Sequence, residues 1–207
     1  MEIFVDYDAT ITDVDTFNVL VAHEAGEQKW HALEERLHSR AMTLREVLAA
    51  EASLITCTLE EADAFLASET HFDFYFAKFA TDCNERGVPL TILSSGVAPL
   101  IERALQRNGV AGIPVRANAV EVRPDGWIMH FRDDSDNGGD KAADVREAKA
   151  RGAKTVYIGD GVSDFEAALE ADRRFAKTGH ALERYLRKRR ATFREFSNFS
   201  EVAAALF

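Results

Sequence analysis

Asp6 and Asp8 stand two residues apart at the end of an apolar run, in "EIFVDYDAT". Side chains at i and i+2 of an extended chain project to the same side, so two mutually repelling carboxylates face one space. A second pair, Asp160 and Asp164, brackets "GVS" after the apolar run "TVYIG". Buried carboxylates without partners are costly and persist only when protonated or bound to a cation. Hard oxygen ligands, few in number and with room left for a phosphate, suit Mg²⁺. Ser94 ends a third apolar run, "VPLTIL", and Ser95 and Gly96 follow it. The backbone N–H groups of Ser95 and Gly96, at the helix start expected there, can hold a phosphate oxygen. Lys141 follows the glycine-bearing turn "DNGGD" and opens a further helix, where its charge can neutralise a phosphoryl group in transfer.

Taken singly, each feature has a plainer explanation. An Asp-x-Asp pair occurs by chance, "GDGVSD" reads as a turn before a helix cap, Ser94 as a cap, and Lys141 as a solvated lysine. Their order separates them from chance: three sit at the ends of apolar strands and the lysine opens a helix.

The elements that must position these groups follow from the hydrophobic pattern. Glu2 to Val5 reads as a short buried strand. From Asp15 to about Ala77 the spacing is helical, with two capping-box signatures, Thr43 with Glu46 and Thr58 with Glu61. Thereafter strand and helix alternate. "VPLTILSSG" precedes a helix over "VAPLIERALQRNGV", and two or three short strands follow with "RPDGW" as a hairpin turn. A helix over "GDKAADVREAKARGA", the strand "KTVYIG" and then helix, strand and helix complete the pattern. The expected fold is α/β: a Rossmann-like doubly wound parallel sheet, with residues 1–14 and 78–207 as core and 15–77 as a small inserted helical cap. Such sheets bind ligands beyond the carboxyl ends of their strands, where Asp6, Ser94 and Asp160 fall.

Composition narrows the partners. The formal net charge of -10 argues against a nucleic-acid ligand, which needs a basic surface. The basic run "RYLRKRRATFR" is read as a solvated helix face. No apolar run reaches about 18 residues, so no membrane span is expected, and the start of the chain lacks the pattern of a secretory signal. The two cysteines, Cys57 and Cys83, form no zinc motif and suit a reducing, cytoplasmic setting. Nothing in the chain specifies an oligomeric state.

"DYDAT", "TILSSG", the downstream lysine and "IGDGVSD", in that order, resemble the four motifs of the haloacid-dehalogenase superfamily of phosphohydrolases. The resemblance is strongest to its phosphoserine phosphatase-like group. The ending "RFAKTGHALERYLRK…FREFSNFSEV" is similar to the methionine-salvage phosphatases that act on 2-hydroxy-3-keto-5-methylthiopentenyl-1-phosphate. The resemblance implies Asp6 as nucleophile and Asp8 as general acid and later base, with the Asp8 carbonyl a metal ligand. It implies Asp160 as metal ligand, Asp164 as ligand or support, and Ser94 and Lys141 as holders of the phosphoryl group. It further implies that Thr10 fixes the loop and that Asp15 is an acidic hinge position near the substrate. Aspartate at position 8 fits phosphatases rather than the superfamily's dehalogenases, which lack it, or its transport ATPases, which carry threonine. Arg45, early on a capped helix, is a candidate for a carboxylate or second polar group of the substrate, or else a solvent-facing partner of Glu46 or Glu51. Trp30, Phe72, Phe74 and Phe76 are expected in the cap core, and His23 and His31 on a helix surface. The expected activity is Mg²⁺-dependent hydrolysis of a small-molecule phosphomonoester through an aspartyl-phosphate. The alternative is a catalytically silent phosphate-ligand-binding regulator on the same fold.

Overall fold

The computed structural model describes residues 1–207. Its strands are β1 (Glu2–Val5), β2 (Leu90–Val97), β3 (Val115–Glu121), β4 (Ile128–His130), β5 (Thr155–Gly159), β6 (Arg173–Lys177) and β7 (Arg194–Phe196). They form one sheet in the order β4-β3-β2-β1-β5-β6-β7, parallel except for the β3–β4 hairpin. The helices are α1 (Thr16–Ala25), α2 (Glu27–His38), α3 (Leu44–Ala52), α4 (Leu59–Glu69), α5 (Phe76–Glu85), α6 (Ala98–Arg107), α7 (Lys141–Ala150), α8 (Phe165–Glu170), α9 (Ala181–Lys188) and α10 (Phe199–Leu206).

The central strands are apolar on both faces, so both must be covered. Ile3, Val5, Ile92, Val156 and Ile158 point into a core closed by α5, α6 and α10. Phe4, Leu93 and Tyr157 point the other way, into a core closed by α7, α8 and α9. The doubly wound α/β architecture read from the alternating pattern is the one observed.

Helices α1 to α4 lie between β1 and β2 and have a core of their own. Phe17, Leu20 and Val21 of α1, Leu48 and Ala52 of α3, and Ala62 and Leu66 of α4 pack with Val97, Leu100, Trp127 and Met129. Both capping boxes form: Thr43 N donates to Glu46 Oε2 at 2.8 Å, and Thr58 N to Glu61 Oε2 at 2.8 Å. The "RPDGW" turn is the docking point for this block. Trp127 is buried, and its Nε1 donates to Cys57 O at 2.8 Å while its backbone N donates to Ala52 O at 3.0 Å.

The chain leaves the sheet and returns to it along one short pairing. Thr12 bridges Phe72, Asp13 N donates to His71 O at 3.0 Å, and Asp73 N donates to Ile11 O at 2.8 Å. The boundary expected after Ala77 therefore falls inside α5, whose first residue, Phe76, already belongs to the sheet's core. Of the four aromatics expected in the helical block's core, only Trp30 packs there. Phe76 is fully buried against Phe79 and Phe199, Phe72 packs against Phe76, and Phe74 is 87% exposed.

The pattern reading also lacked α5, β7 and α10. Helix α5 has no side-chain cap, and β7 is three residues long. Asn198, whose Oδ1 accepts from Ser200 N at 3.0 Å, was a usable start signal for α10. That helix matters because Phe199 closes the aromatic cluster under the central strands, touching Phe76, Phe79 and Phe196 with ring centroids 4.8, 5.3 and 5.7 Å away. Phe199→Ala leaves a cavity in a core with no solvent access and is expected to cost about 3–5 kcal/mol, measured as a lowered urea midpoint at unchanged m-value.

Candidate active site

The strand order brings the sequence-predicted residues together. β1 is flanked by β2 on one side and β5 on the other, so Asp6, Ser94 and Asp160 leave the same edge of adjacent strands. Lys141 reaches them from the first turn of α7, which is capped by Asp140, whose Oδ1 accepts from Ala143 N at 2.9 Å. The Lys141 Nζ is buried and donates to Asp6 Oδ1 at 2.6 Å, Asp164 Oδ1 at 2.7 Å and Ser163 Oγ at 3.0 Å. Burial works to lower the lysine pKa, but the Asp164 and Asp6 carboxylates more than offset it and hold it above the usual lysine range. The ammonium is thus always charged.

Asp164 is saturated. Its Oδ1 also accepts from Tyr157 OH at 2.6 Å, and its Oδ2 accepts from the backbone N of Asp160 at 3.0 Å and of Gly161 at 2.9 Å. It clamps the loop after β5 and aims Asp160. Thr10 does similar work beneath the loop after β1: it is fully buried, donates to Asp160 Oδ1 at 3.1 Å and lies 3.5 Å from Asp6 Oδ2. It meets these carboxylates and does not line the cavity. His180 Nδ1 lies 2.9 Å from Asp160 Oδ2.

Carboxylate oxygens of Asp6, Asp160 and Asp164 lie within 4.8 Å of one another. Burial, then the Asp164 charge, push the Asp6 carboxyl well above the ordinary aspartate range, against the pull of Lys141. Three clustered carboxylates face one ammonium, an excess of negative charge that a divalent cation with oxygen preference would offset.

Asp8 is held differently. Its Oδ1 accepts from Thr16 N at 2.9 Å and Thr16 Oγ1 at 2.6 Å, so the first turn of α1 fixes its rotamer. Ser94 Oγ lies 3.4 Å from its Oδ2. Burial raises the Asp8 pKa, only partly countered by the two Thr16 hydrogen bonds and by Lys141. Gly96 is required here, because a Cβ at that position would stand 2.8 Å from Asp8 Oδ2.

Two expectations are corrected beside this group. Ser95 and Gly96 do not open a helix: β2 runs on to Val97 with a register shift, and α6 begins at Ala98. The Gly96 N–H is taken by Ser94 Oγ at 2.9 Å, while the Ser95 hydroxyl is buried without a partner. Arg45 does not face the cavity. Its guanidinium donates to Asp133 O, lies 3.5 Å from Asp134 Oδ1 and stacks 4.3 Å over the Phe131 ring. These contacts tie α3 to the loop before α7.

The floor of carboxylates opens into a cavity of about 760 Å³, whose other walls come from α1, α2 and α3. Asp15 lines it as the N-cap of α1, its Oδ1 accepting from Asn18 N at 2.9 Å. Burial and the neighbouring Asp8 charge push the Asp15 carboxyl up to about 8, against the Asn18 hydrogen bond. Tyr157 and Thr16 lay in no motif, and His180, inside the segment "RFAKTGHALERYLRK", was not singled out as a site residue. Glu51 was missed as a cavity residue, although it left a trace: it shares the helical stripe Val47, Leu48, Ala52, Ile55, where a charge is out of place.

Comparison with known proteins agrees with this geometry. Residues 3–169 match the family model of haloacid dehalogenase-like hydrolases. The chain is 30% identical to Pdp3-interacting factor 1 of Schizosaccharomyces pombe, over 97% of this chain and 92% of that one. It is 29% identical to a polyol phosphate phosphatase of Saccharomyces cerevisiae, over 99% and 91%. It is 27% identical to a 2-hydroxy-3-keto-5-methylthiopentenyl-1-phosphate phosphatase of Microcystis aeruginosa, over 97% and 94%. Among solved structures, a phosphoserine phosphatase in a phospho-aspartyl intermediate analogue form superimposes with a TM-score of 0.73 at 19% identity, covering 99% of this chain and 98% of that one.

Glu51 yields a test independent of activity. Burial, then the charges of Glu34 and Asp15, push its carboxyl from 4.5 up to about 8. Because the folded state holds this proton more tightly than the unfolded chain, the stabilisation is full below about pH 4.5 and is lost as pH rises towards about 8. Glu51→Gln lacks that loss. In urea titrations its stability relative to wild type should rise with pH across this window, by up to about 1.4 kcal/mol per pH unit.

Proposed function

The chain belongs to the haloacid dehalogenase-like hydrolases and is a phosphoric monoester hydrolase, and from that premise we propose that it is a Mg²⁺-dependent phosphatase acting on a small-molecule phosphoester through an aspartyl-phosphate on Asp6. One observation carries the reading: Asp6 sits beside Lys141 on the floor of the cavity, and a second carboxyl with a raised pKa, Asp8, is fixed two residues away and faces the same space.

The donor set suits Mg²⁺. Asp6 and Asp160 would hold it together with the Asp8 carbonyl, and Asp164, its oxygens already engaged, supports the loop rather than serving as a ligand. When bound, Mg²⁺ supplies charge compensation between the carboxylates and the phosphate dianion. The Asp6 carboxylate attacks phosphorus, a carboxyl O–P bond forms and the ester P–O bond breaks. Asp8 gives its proton to the departing alkoxide. Ser94 and Lys141 hold the phosphoryl oxygens during transfer. Asp8 then takes a proton from the water that attacks the aspartyl-phosphate, which releases inorganic phosphate and restores Asp6. The helical block over residues 15–77 serves as a cap that closes the cavity around the leaving group. Polyol phosphates and 2-hydroxy-3-keto-5-methylthiopentenyl-1-phosphate enter as candidate substrates through the relatives named for them.

The test is phosphate release from p-nitrophenyl phosphate. Excess EDTA should stop it and Mg²⁺ restore it, and Asp6→Asn, nearly isosteric but not nucleophilic, should fall below about 1% of wild type. Full turnover in a metal-free preparation, or by the variant, rejects the reading, and no turnover by wild type with Mg²⁺ present leaves the silent regulator in its place.

Asp8 is separable from Asp6 by leaving group. An alkoxide needs a proton, whereas p-nitrophenolate departs with little help. Asp8→Asn should slow the single-turnover burst with an alkyl phosphate by about 10²–10⁴ and with p-nitrophenyl phosphate far less. Equal slowing of both bursts would reduce Asp8 to a scaffold.

A further inference from the structure

The cavity has two chemically distinct halves. On the floor, negative charge is gathered around Lys141. On the wall built by the inserted helices it is not. Glu51, in the last turn of α3, is 1% exposed, lines the cavity, and leaves its Oε1 without a hydrogen-bond partner. A buried polar group without a partner costs on the order of 1–3 kcal/mol and is uncommon in folded proteins. Its charged neighbours on the cavity wall are acids, Glu34 and Asp15. His38 and Arg40 also line the cavity, at the end of α2 and in the loop after it, but the charges acting on the Glu51 carboxyl are those of Glu34 and Asp15, and Lys141 is paired with Asp6 and Asp164.

We infer that Glu51 is a specificity-determining residue, whose carboxyl receives hydroxyl groups of an uncharged, hydroxyl-bearing leaving group and whose acidic surroundings exclude leaving groups that carry a carboxylate. The inference rests on the phosphatase reading and names the substrate class of that site. Held neutral at physiological pH by burial and by its acidic neighbours, Glu51 offers one O–H donor and one free acceptor, the complement of an alcohol, which also donates and accepts. A substrate carboxylate placed beside Glu51 would meet Glu34 and Asp15, a repulsive arrangement of the kind that sets specificity by exclusion. The carboxylate of a phosphoserine-like substrate is therefore disfavoured beside Glu51, although phosphoserine phosphatases share the fold. Apolar Leu44 and Leu48 on the same wall fit the carbon skeleton of a neutral chain.

The experiment compares kcat/KM for glycerol 3-phosphate, phosphoserine and phosphoethanolamine, which carry a neutral leaving group, a zwitterionic one with a carboxylate, and a cationic one. Wild type should prefer glycerol 3-phosphate to phosphoserine by about 100-fold or more, and Glu51→Leu should shrink that ratio by about 10–100-fold, chiefly by raising KM for glycerol 3-phosphate. Leucine suits a buried site on an apolar helix face, so this variant keeps the fold. Glu51→Arg should raise kcat/KM for phosphoserine. A wild-type preference for phosphoserine or phosphoethanolamine overturns the inference, as does a Glu51→Leu ratio equal to wild type. Hydrolysis of p-nitrophenyl phosphate by wild type reports on the phosphatase reading alone. Its absence rejects that reading and this inference with it, whereas its presence without the glycerol 3-phosphate preference rejects only the role of Glu51.

Discussion

The Lys141 ammonium, buried between Asp6 and Asp164, is the interaction on which the rest of the site depends. Four carboxylates, Asp6, Asp8, Asp160 and Asp164, converge at the end of a parallel sheet, and without an internal cation their repulsion would oppose folding. Removing one partner of a buried ion pair typically costs about 3–5 kcal/mol because the other is stranded. Lys141 reaches the cluster only because α7 starts at that residue and points its first turn at the strand ends. Asp140 makes that start definite by capping the helix. The capping residue, a local feature, thereby sets the position of a buried charge.

The positioning groups form a closed network around this pair. Tyr157 and the N–H groups of Asp160 and Gly161 saturate Asp164, Thr10 links the loops after β1 and β5, and Thr16 orients Asp8. Lys177 donates to Thr10 O at 3.0 Å and Thr12 O at 3.2 Å, which ties β6 to the loop carrying Asp8. Ala9, in the middle of that loop, has φ 53, a left-handed conformation that an alanine adopts at a cost on the order of 1 kcal/mol. Hydrogen bonds from Ala9 N to Val14 O and Thr12 Oγ1 hold it there. Such strain is typical where a backbone is over-determined to present a side chain.

The two halves of the cavity differ in how their charge is balanced. The floor is arranged so that carboxylates stay paired or ready for a cation. The wall from the inserted helices leaves Glu51 and Asp15 with raised pKa values and no basic partner. In the proposed reaction the floor would meet only the phosphate, common to any phosphomonoester, and the wall would meet the leaving group, where discrimination can arise. Arg45 illustrates the division: its charge is spent on holding α3 to the loop before α7, so it shapes the cavity without facing it.

The amino-acid sequence by itself determined the fold class, the run of helices between the first two strands and the gathering of Asp6, Ser94 and Asp160 at adjacent strand ends, because each rests on a local signal. Apolar runs ending on Asp6, Ser94 and Asp160, the capping boxes at Thr43 and Thr58, and the "RPDGW" turn are all readable over a few residues. The elements it left unread had weak local signals, such as the uncapped α5 and the three-residue β7. Phe76 was assigned to the wrong core because a hydrophobic residue shows that it is buried, not against what. Only tertiary structure decided that Thr10 meets carboxylates rather than the cavity, that Asp164 is saturated by Tyr157 and two N–H groups, and that Glu51 rather than Arg45 lines the cavity. In each case the deciding quantity is the competition of groups for one atom or one face: Thr10 meets Asp160, 150 residues away, Tyr157 and two N–H groups meet Asp164, 3 to 7 residues away, and Glu51 rather than Arg45 is turned to the cavity. That competition has no counterpart in residue spacing, since it is settled by the packing of α1 to α3 and α7 over the ends of β1, β2 and β5.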